Sequence, residues 1–396
     1  MRVFLYILFA IFLFSACEKK SKTVETPWGT TLDAQSDTAS AVNQFNLDDI
    51  ISNGELIMIT MSGPDTYYTY HGRGMGAQYM LCERFARQIG VSLRVEVCRD
   101  TVEMISKLKN GEGDVIAFPL PARIVNADRS LMPLRIEHSV TWAVNKGNTS
   151  LADTLRKWYH PGMLAKIVKE ENFLFTSKSI KRHVYSPMLD KGKGIISKYD
   201  SYFKMYSGVA IMDWRLMAAQ CYQESCFDPD AQSWAGACGL MQIMPSTAAH
   251  LGLPMEMIHK PEENIAAAAK YLRELREKFR DISDDSQRSW FVLASYNGGY
   301  YHIKDAQRLT SKYGHNPGSW ADVSQYVLKL RNPAYYNDPV VKYGYMRGEE
   351  TFDYVQRIRD RWMQYRGMAS SYGSFSSGFG AESVPQKAKH KNKFQI

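Results

Sequence analysis

The residue in this sequence best placed to do chemistry is an acid at the end of an apolar stripe. Residues 213–247 read DWRLMAAQCYQESCFDPDAQSWAGACGLMQIMPST. Asp213 can cap a helix that starts at Trp214, because its carboxylate accepts backbone N–H groups that a first helical turn leaves unpaired. Met217, Cys221 and Glu224 follow at i, i+4 and i+7, so the face turned to the core ends in a carboxylate. Apolar burial raises a Glu pKa, and a rise of about two, roughly 2.7 kcal/mol, brings it to about 6. Such a carboxyl is a general acid at neutral pH. The same position also suits a structural carboxylate, paired with a core Arg or standing in water at the helix end.

The residues that follow supply polar groups around that acid. Phe227-Asp228-Pro229 opens a loop containing Gly236 and Gly239, and Leu240-Met241-Gln242 then leads into Pro245-Ser246-Thr247. A Gly ahead of a Met-Gln pair lets backbone approach a ligand closely, and the Gln242 amide offers a sugar both donor and acceptor. Trp290 to Tyr296 reads as an apolar helix ended by Gly298-Gly299, which sets Tyr296 and Asn297 at a terminus where side chains reach a cleft. His302 and His315 have no acidic partner at a triad spacing and read as surface residues. The sequence holds no metal-ligand spacing, phosphate loop or nucleophile elbow.

Three runs, QES (Gln223 to Ser225), AGACGLMQIMPSTA (Ala235 to Ala248) and ASYNGG (Ala294 to Gly299), resemble the signature motifs of the soluble-lytic-transglycosylase, goose-lysozyme-like family in order and spacing. SWADV (Ser319 to Val323), YGYMRG (Tyr343 to Gly348) and ETFDYV (Glu350 to Val355) extend the likeness, in the pattern of its membrane-bound members, over residues 205 to 365. The resemblance implies a mainly helical lysozyme-like domain that needs no cofactor and no metal. It implies cleavage of the β-1,4 bond between N-acetylmuramic acid and N-acetylglucosamine in peptidoglycan glycan strands. Glu224 would be the catalytic acid and afterwards the base for the muramyl 6-hydroxyl, which closes a 1,6-anhydro ring. No water attacks, so the second carboxylate of most glycosidases is unnecessary. By the same resemblance, Ser225 and Tyr296 position the carboxyl or the substrate, and Met241, Gln242 and Asn297 line the sugar site. Two rival readings share the fold: a hydrolytic goose-type lysozyme, and a noncatalytic peptidoglycan-binding lipoprotein.

Around this site the chain has ample material. Its 396 residues, 45% hydrophobic, suffice for about two domains. The 49 Lys and Arg against 41 Asp and Glu give a net charge of +8, which suits carboxylate-bearing wall glycopeptide or anionic lipid. Without a compact basic motif interleaved with aromatics, nucleic acid is not an expected partner. Cys17 ends LFSAC after an apolar run from Val3 to Phe14, too short to span a bilayer comfortably. This reads as a lipoprotein signal peptide (1–17) whose Cys17 is lipidated, anchoring the protein in the cell envelope on the periplasmic face of the outer membrane. Export permits disulfides, and Cys226–Cys238 and Cys82–Cys98 are the expected pairs, with Cys221 left in the core.

Residues 18–45 are polar and read as a flexible tether. From Leu56 to Thr60 a buried strand is expected, then a helix (Gln78 to Ile89), a strand (Ser92 to Val97), a helix (Val102 to Lys109) and a strand (Asp114 to Phe118). This alternation predicts an α/β unit with a parallel sheet, and it resembles one lobe of a periplasmic solute-binding protein. Only Pro119 to Glu137 separates it from a returning strand at His138 to Asn148, so the second lobe is missing. A lone lobe cannot enclose a small ligand, which favours a spacer, docking or regulatory module. Tyr67, Tyr68, Tyr70 and Arg73 read either as an open groove or as surface aromatics. The expected whole is an α+β multidomain chain: module 46–165, connector 166–204, lysozyme-like domain 205–366, and a disordered basic tail 367–396.

Overall fold

The computed structural model describes residues 24–25, 31–32, 46–137, 140–176 and 179–367. Cys17, the signal peptide and nearly all of the basic tail lie outside the described residues. Within the segment expected as a tether, β1 (Val24–Glu25) and β2 (Thr31–Leu32) pair antiparallel.

The first half begins with α1 (Leu47–Asn53), closed at its start by an Asn46–Asp49 capping box. In chain order there follow β3 (Glu55–Met61), β4 (Tyr68–Tyr70), β5 (Arg73–Met75), α2 (Ala77–Gln88), β6 (Ser92–Cys98), α3 (Thr101–Lys109), β7 (Val115–Leu120), α4 (Ala122–Ala127), β8 (Leu131–Glu137) and β9 (Val140–Asn145). Helices α5 (Thr149–Trp158) and α6 (Met163–Leu174) complete it. Five strands form one sheet in the order β6-β3-β7-β9-β8. β3 runs parallel to β6 and β7, whereas β9 is antiparallel to both β7 and β8. The expected parallel sheet is therefore a mixed one. The helices α2 and α3 make crossovers long enough for parallel pairing, while the short link from β8 to β9 allows only an antiparallel hairpin. The excursion between β7 and the returning strand β9 contains just α4 and β8, and β8 stays in the same sheet.

Strand alternation splits this half into two cores. Leu56, Met58, Val115, Ala117 and Trp142 pack with Cys82 on one face, and Ile59, Ile116, Ala143 and Met104 pack with Cys98 on the other. The sheet thus stands between Cys82 and Cys98, and the expected bridge is not formed. Cys226 and Cys238 are unbridged as well: all five cysteines among the described residues are free thiols. Cys226 takes a left-handed conformation (φ 54°) and lies outside the core cluster that holds Cys238, whose thiol donates to Gly236 O.

The second half is helical: α7 (Asp200–Ala210), α8 (Trp214–Ser225), α9 (Pro245–Leu251), α10 (Pro261–Lys278), α11 (Asp285–Gly298), α12 (Tyr300–Lys312), α13 (Trp320–Lys329), α14 (Pro333–Tyr336) and α15 (Gly348–Tyr365). Its core gathers Met217 and Cys221 of α8, Ile265, Ala268 and Leu272 of α10, Phe291 and Leu293 of α11, and Val355 and Ile358 of α15. No helix among the described residues is long and apolar enough to cross a membrane.

A separate cluster joins the halves. Tyr68 and Met75 of the β4–β5 hairpin are buried with Tyr345, and Tyr70, Phe175, Trp234 and Tyr336 pack around them. Tyr68 is buried and Tyr70 half-buried because the second half covers them, while Tyr67, also half-buried, packs on Tyr79 of α2 and Arg73 is exposed, so the four form neither an open groove nor a set of surface aromatics. The charged stretch expected in the connector, Lys166 to Glu171, belongs to α6. Its Glu171 is buried and accepts hydrogen bonds from Tyr68 Oη (3.0 Å) and Gly76 N (3.1 Å).

Candidate active site

Helix α8 delivers the acid. Asp213 caps it by accepting from Arg215 N (2.8 Å), and its other oxygen accepts from Trp362 Nε1 (3.1 Å), which ties α8 to α15. Met217 and Cys221 are fully buried, so the stripe turns inward and carries Glu224 with it into the last turn. Glu224 is half-buried and opens onto a cavity of about 230 Å³. Burial pushes its carboxyl up to about 8, against the opposing pull of a hydrogen bond from Tyr354 Oη to Oε1 (2.5 Å) and of the Arg182 charge. Arg182 does not pair with the carboxylate; its Nη1 donates to the Glu224 backbone carbonyl (3.2 Å). At neutral pH the acid therefore carries its proton.

The neighbouring loop is built by hydrogen bonds that cross between elements. Tyr296 Oη donates to Met241 O (2.7 Å), and Met241 N donates to Asn264 Oδ1 (2.8 Å). Asn264 Nδ2 donates in turn to Cys238 O (3.2 Å) and Ile258 O (2.7 Å). Gly239 has φ 79°, and a Cβ there would stand 2.4 Å from Asn264 Nδ2. The close approach that this glycine permits is thus to Asn264, not to a ligand. Sequence reasoning passed over Asn264, although a polar residue beside Ile265 on the buried stripe of an alanine-rich helix was a signal.

Of the expected site residues, Glu224, Gln242 and Tyr296 line the same cavity, together with Tyr271, Ser295 and the His71-Gly72 tip of the β4–β5 hairpin. Gln242 (φ 50°) spends its amide donor on Ala231 O (3.1 Å) and Gly239 O (2.9 Å), so that group stabilises the loop. Three others are not brought to the cavity. Ser225 is buried and donates to Cys221 O (3.2 Å). The Met241 side chain lies in the core and contributes only its backbone. Asn297 Oδ1 accepts from Thr351 Oγ1 (2.7 Å). Ser295 Oγ is buried without a hydrogen-bond partner beside the cavity. His302, expected at the surface, is buried against Thr69 Oγ1 (3.3 Å), and burial pushes it down to about 4. His315 is exposed as expected.

A helical domain with a single protonated acid over a small cavity is what fold and geometry define, and residues 201–317 match the model of the Transglycosylase SLT domain. The chain is similar to membrane-bound lytic murein transglycosylase F of Aeromonas hydrophila, 34% identical over 275 residues, 66% of this chain and 53% of that protein. It is similar also to membrane-bound lytic murein transglycosylase F of Shewanella frigidimarina, 33% identical over 270 residues, 66% of this chain and 55% of that protein. The chain spans about half the length of these curated relatives. Among solved structures, the 70 kDa soluble lytic transglycosylase of Escherichia coli aligns with 45% of this chain and 26% of its own, at 23% identity and a TM-score of 0.32.

Proposed function

We propose that this protein is a peptidoglycan lytic transglycosylase, cleaving the β-1,4 bond between N-acetylmuramic acid and N-acetylglucosamine and leaving 1,6-anhydromuramyl ends. The observation that carries this reading is the Glu224 carboxyl, raised to about 8 by burial at the wall of a cavity. Tyr354 donates to Oε1, so the transferable proton sits on Oε2. It passes to the glycosidic oxygen as the bond from muramyl C1 breaks, and the glucosaminyl unit leaves with that proton as its 4-hydroxyl. Glu224, now ionised, takes the proton of the muramyl 6-hydroxyl while that oxygen bonds to C1. The acid ends as it began, and no water enters the products. Tyr296 and the Asn264-braced loop hold the cavity wall, and Ser295 Oγ offers the sugar a hydrogen bond.

A hydrolytic lysozyme would need a base for water. Among the described residues lining the cavity, Glu224 is the sole carboxylate. Glu350, the nearby candidate, accepts from Tyr70 Oη (2.5 Å) instead. Mass spectrometry of digested murein decides the matter: products one water lighter than reducing-end fragments support transglycosylation, reducing ends support hydrolysis, and intact murein supports a noncatalytic wall binder.

The proposal extends to placement. Cys17 would be lipidated after removal of the signal peptide, holding the enzyme at the periplasmic face of the outer membrane. The solute-binding-protein-like module would run from residue 46 through α6 to Leu174, and the catalytic domain from α7 at Asp200 through α15, with 175–199 as the connector.

A further inference from the structure

Helix α8 carries a second polar side chain on the stripe that turns inward. Gln220 stands between Met217 and Cys221, one turn before Glu224 and on the same face. Its amide is fully buried, and neither Oε1 nor Nε2 finds a hydrogen-bond partner among the described residues. An orphaned amide in a core is costly, where an apolar side chain of the same shape is not. The group it lies beside is the Tyr354 hydroxyl of α15. Burial keeps that phenol well above its ordinary 10, so its proton stays on oxygen, while the Gln220 amide favours negative charge there without reaching hydrogen-bond geometry. Tyr354 Oη donates in turn to Glu224 Oε1 (2.5 Å), a bond that opposes the rise burial imposes on the carboxyl.

We propose that Gln220 is a positioning residue for glycosidic cleavage, its Nε2–H closing on Tyr354 Oη as Glu224 gives up its proton. This rests on the transglycosylase reading. Before the step, Tyr354 donates to a neutral carboxyl and needs no support. Once the proton has passed to the glycosidic oxygen, Oε1 carries charge and the Tyr354 bond becomes charge-assisted. Oη then grows more negative and is a better acceptor, and the amide supplies the donor. Tyr354 and Gln220 keep their own protons throughout; only Glu224 exchanges one with the sugar. A bond made at that moment acts on the transition state and leaves substrate binding alone. The other ionisable groups acting with the carboxyl are Arg182, Tyr296, Cys221 and Glu350, the last clamped by Tyr70 Oη of the β4–β5 hairpin. His71 and Tyr271 line the same cavity. All of these remain in a Gln220 variant, so a shift in the Glu224 titration there belongs to the amide.

The test uses the full chain and purified glycan strands, with release of anhydro products followed across pH. Gln220→Met keeps length and volume and removes the amide. It should melt at or above the wild-type temperature, yet lose about fivefold in kcat with KM unchanged. The alkaline limb of its pH profile should move to higher pH, by less than in Tyr354→Phe, because the phenol holds the carboxyl down less well. In a Tyr354→Phe background the same substitution should change neither kcat nor that limb. A residue that merely fills the core would move the melt alone. Gln220→Leu repeats the measurement if the Met variant does not fold, and failure of both to fold would show the amide to be structural and overturn the proposal. Wild-type kcat and pH profile in a folded variant would overturn it too, as would a loss that persists in full without the Tyr354 hydroxyl. If wild type releases no anhydro products, the transglycosylase reading falls and takes this one with it, an outcome the wild-type digest alone identifies.

Discussion

Glu224→Gln tests the site through two measurements that have one cause. The amide keeps the shape of the carboxyl and can still accept from Tyr354 Oη, which sits 2.5 Å from Oε1. What disappears is the proton. A positioned acid contributes about 10²–10⁴ in rate, and here one group serves as both acid and base, so a loss on the order of 10³ or more is expected in anhydromuropeptide release. The second readout is stability. Burial raises Glu224 from its usual 4.5 to about 8. A raised carboxyl contributes stability that is full below the unfolded value and is lost as pH climbs through the folded one. At about 1.4 kcal/mol per pH unit, and allowing for the partial exposure, wild type gives up about 3–5 kcal/mol between about pH 4 and pH 9 from this group. The Gln variant gives up none of it. Urea melts should therefore show a variant that matches wild type near pH 4 and exceeds it by about 3–5 kcal/mol near pH 9. Parallel pH curves, or near-normal cleavage by the purified variant, would refute the idea that this carboxyl is a buried proton donor.

Tyr354→Phe removes the hydrogen bond that holds Glu224 down. The alkaline limb of its pH–activity profile should move to higher pH, with cleavage reduced about tenfold. Asn264→Ala strips partners from Met241 N, Cys238 O and Ile258 O. Denaturant melts should show a loss of about 2–4 kcal/mol. Gly239→Ala places a Cβ 2.4 Å from Asn264 Nδ2 at a left-handed φ, so a cost of about 2–3 kcal/mol and weakened cleavage are expected together. Cys17→Ala should move the protein from the membrane to the soluble fraction of cells without altering cleavage by the purified enzyme, read by fractionation and lipid labelling.

Local patterns in the sequence disclosed the elements well wherever neighbours decide structure. The Asp213 cap and the spacing of Met217, Cys221 and Glu224 set α8 and its inward face because a helix has one period. Residue type did not disclose direction. Ser225, Met241 and Asn297 have the chemistry of a sugar site, but each is satisfied by its own chain, through Cys221 O, Tyr296 Oη and Thr351 Oγ1. Gly239 was legible as a close approach, though its partner Asn264 was not, since that contact joins separate elements. The mixed sheet departed from expectation because β8 pairs with β9 inside what read as an excursion. The hairpin tip was hidden for the strongest reason: nothing near His71 in sequence signals that Trp234 and Glu350 will receive its neighbour Tyr70.

The clamp on that hairpin also fixes an order of events. Its Tyr70–Glu350 bond spans 280 positions and the Ser62–Tyr345 bond 283, separations whose closure is rewarded late in folding. As the chain leaves the ribosome, the aromatic face of Tyr68, Tyr70 and Phe175 must wait, uncovered and adhesive, for helices not yet made. A nascent or prematurely ended chain can hold Glu224 in its helix but lacks Tyr354 and Glu350, so the acid stands without the hydroxyl that donates to it and Tyr70 without its acceptor.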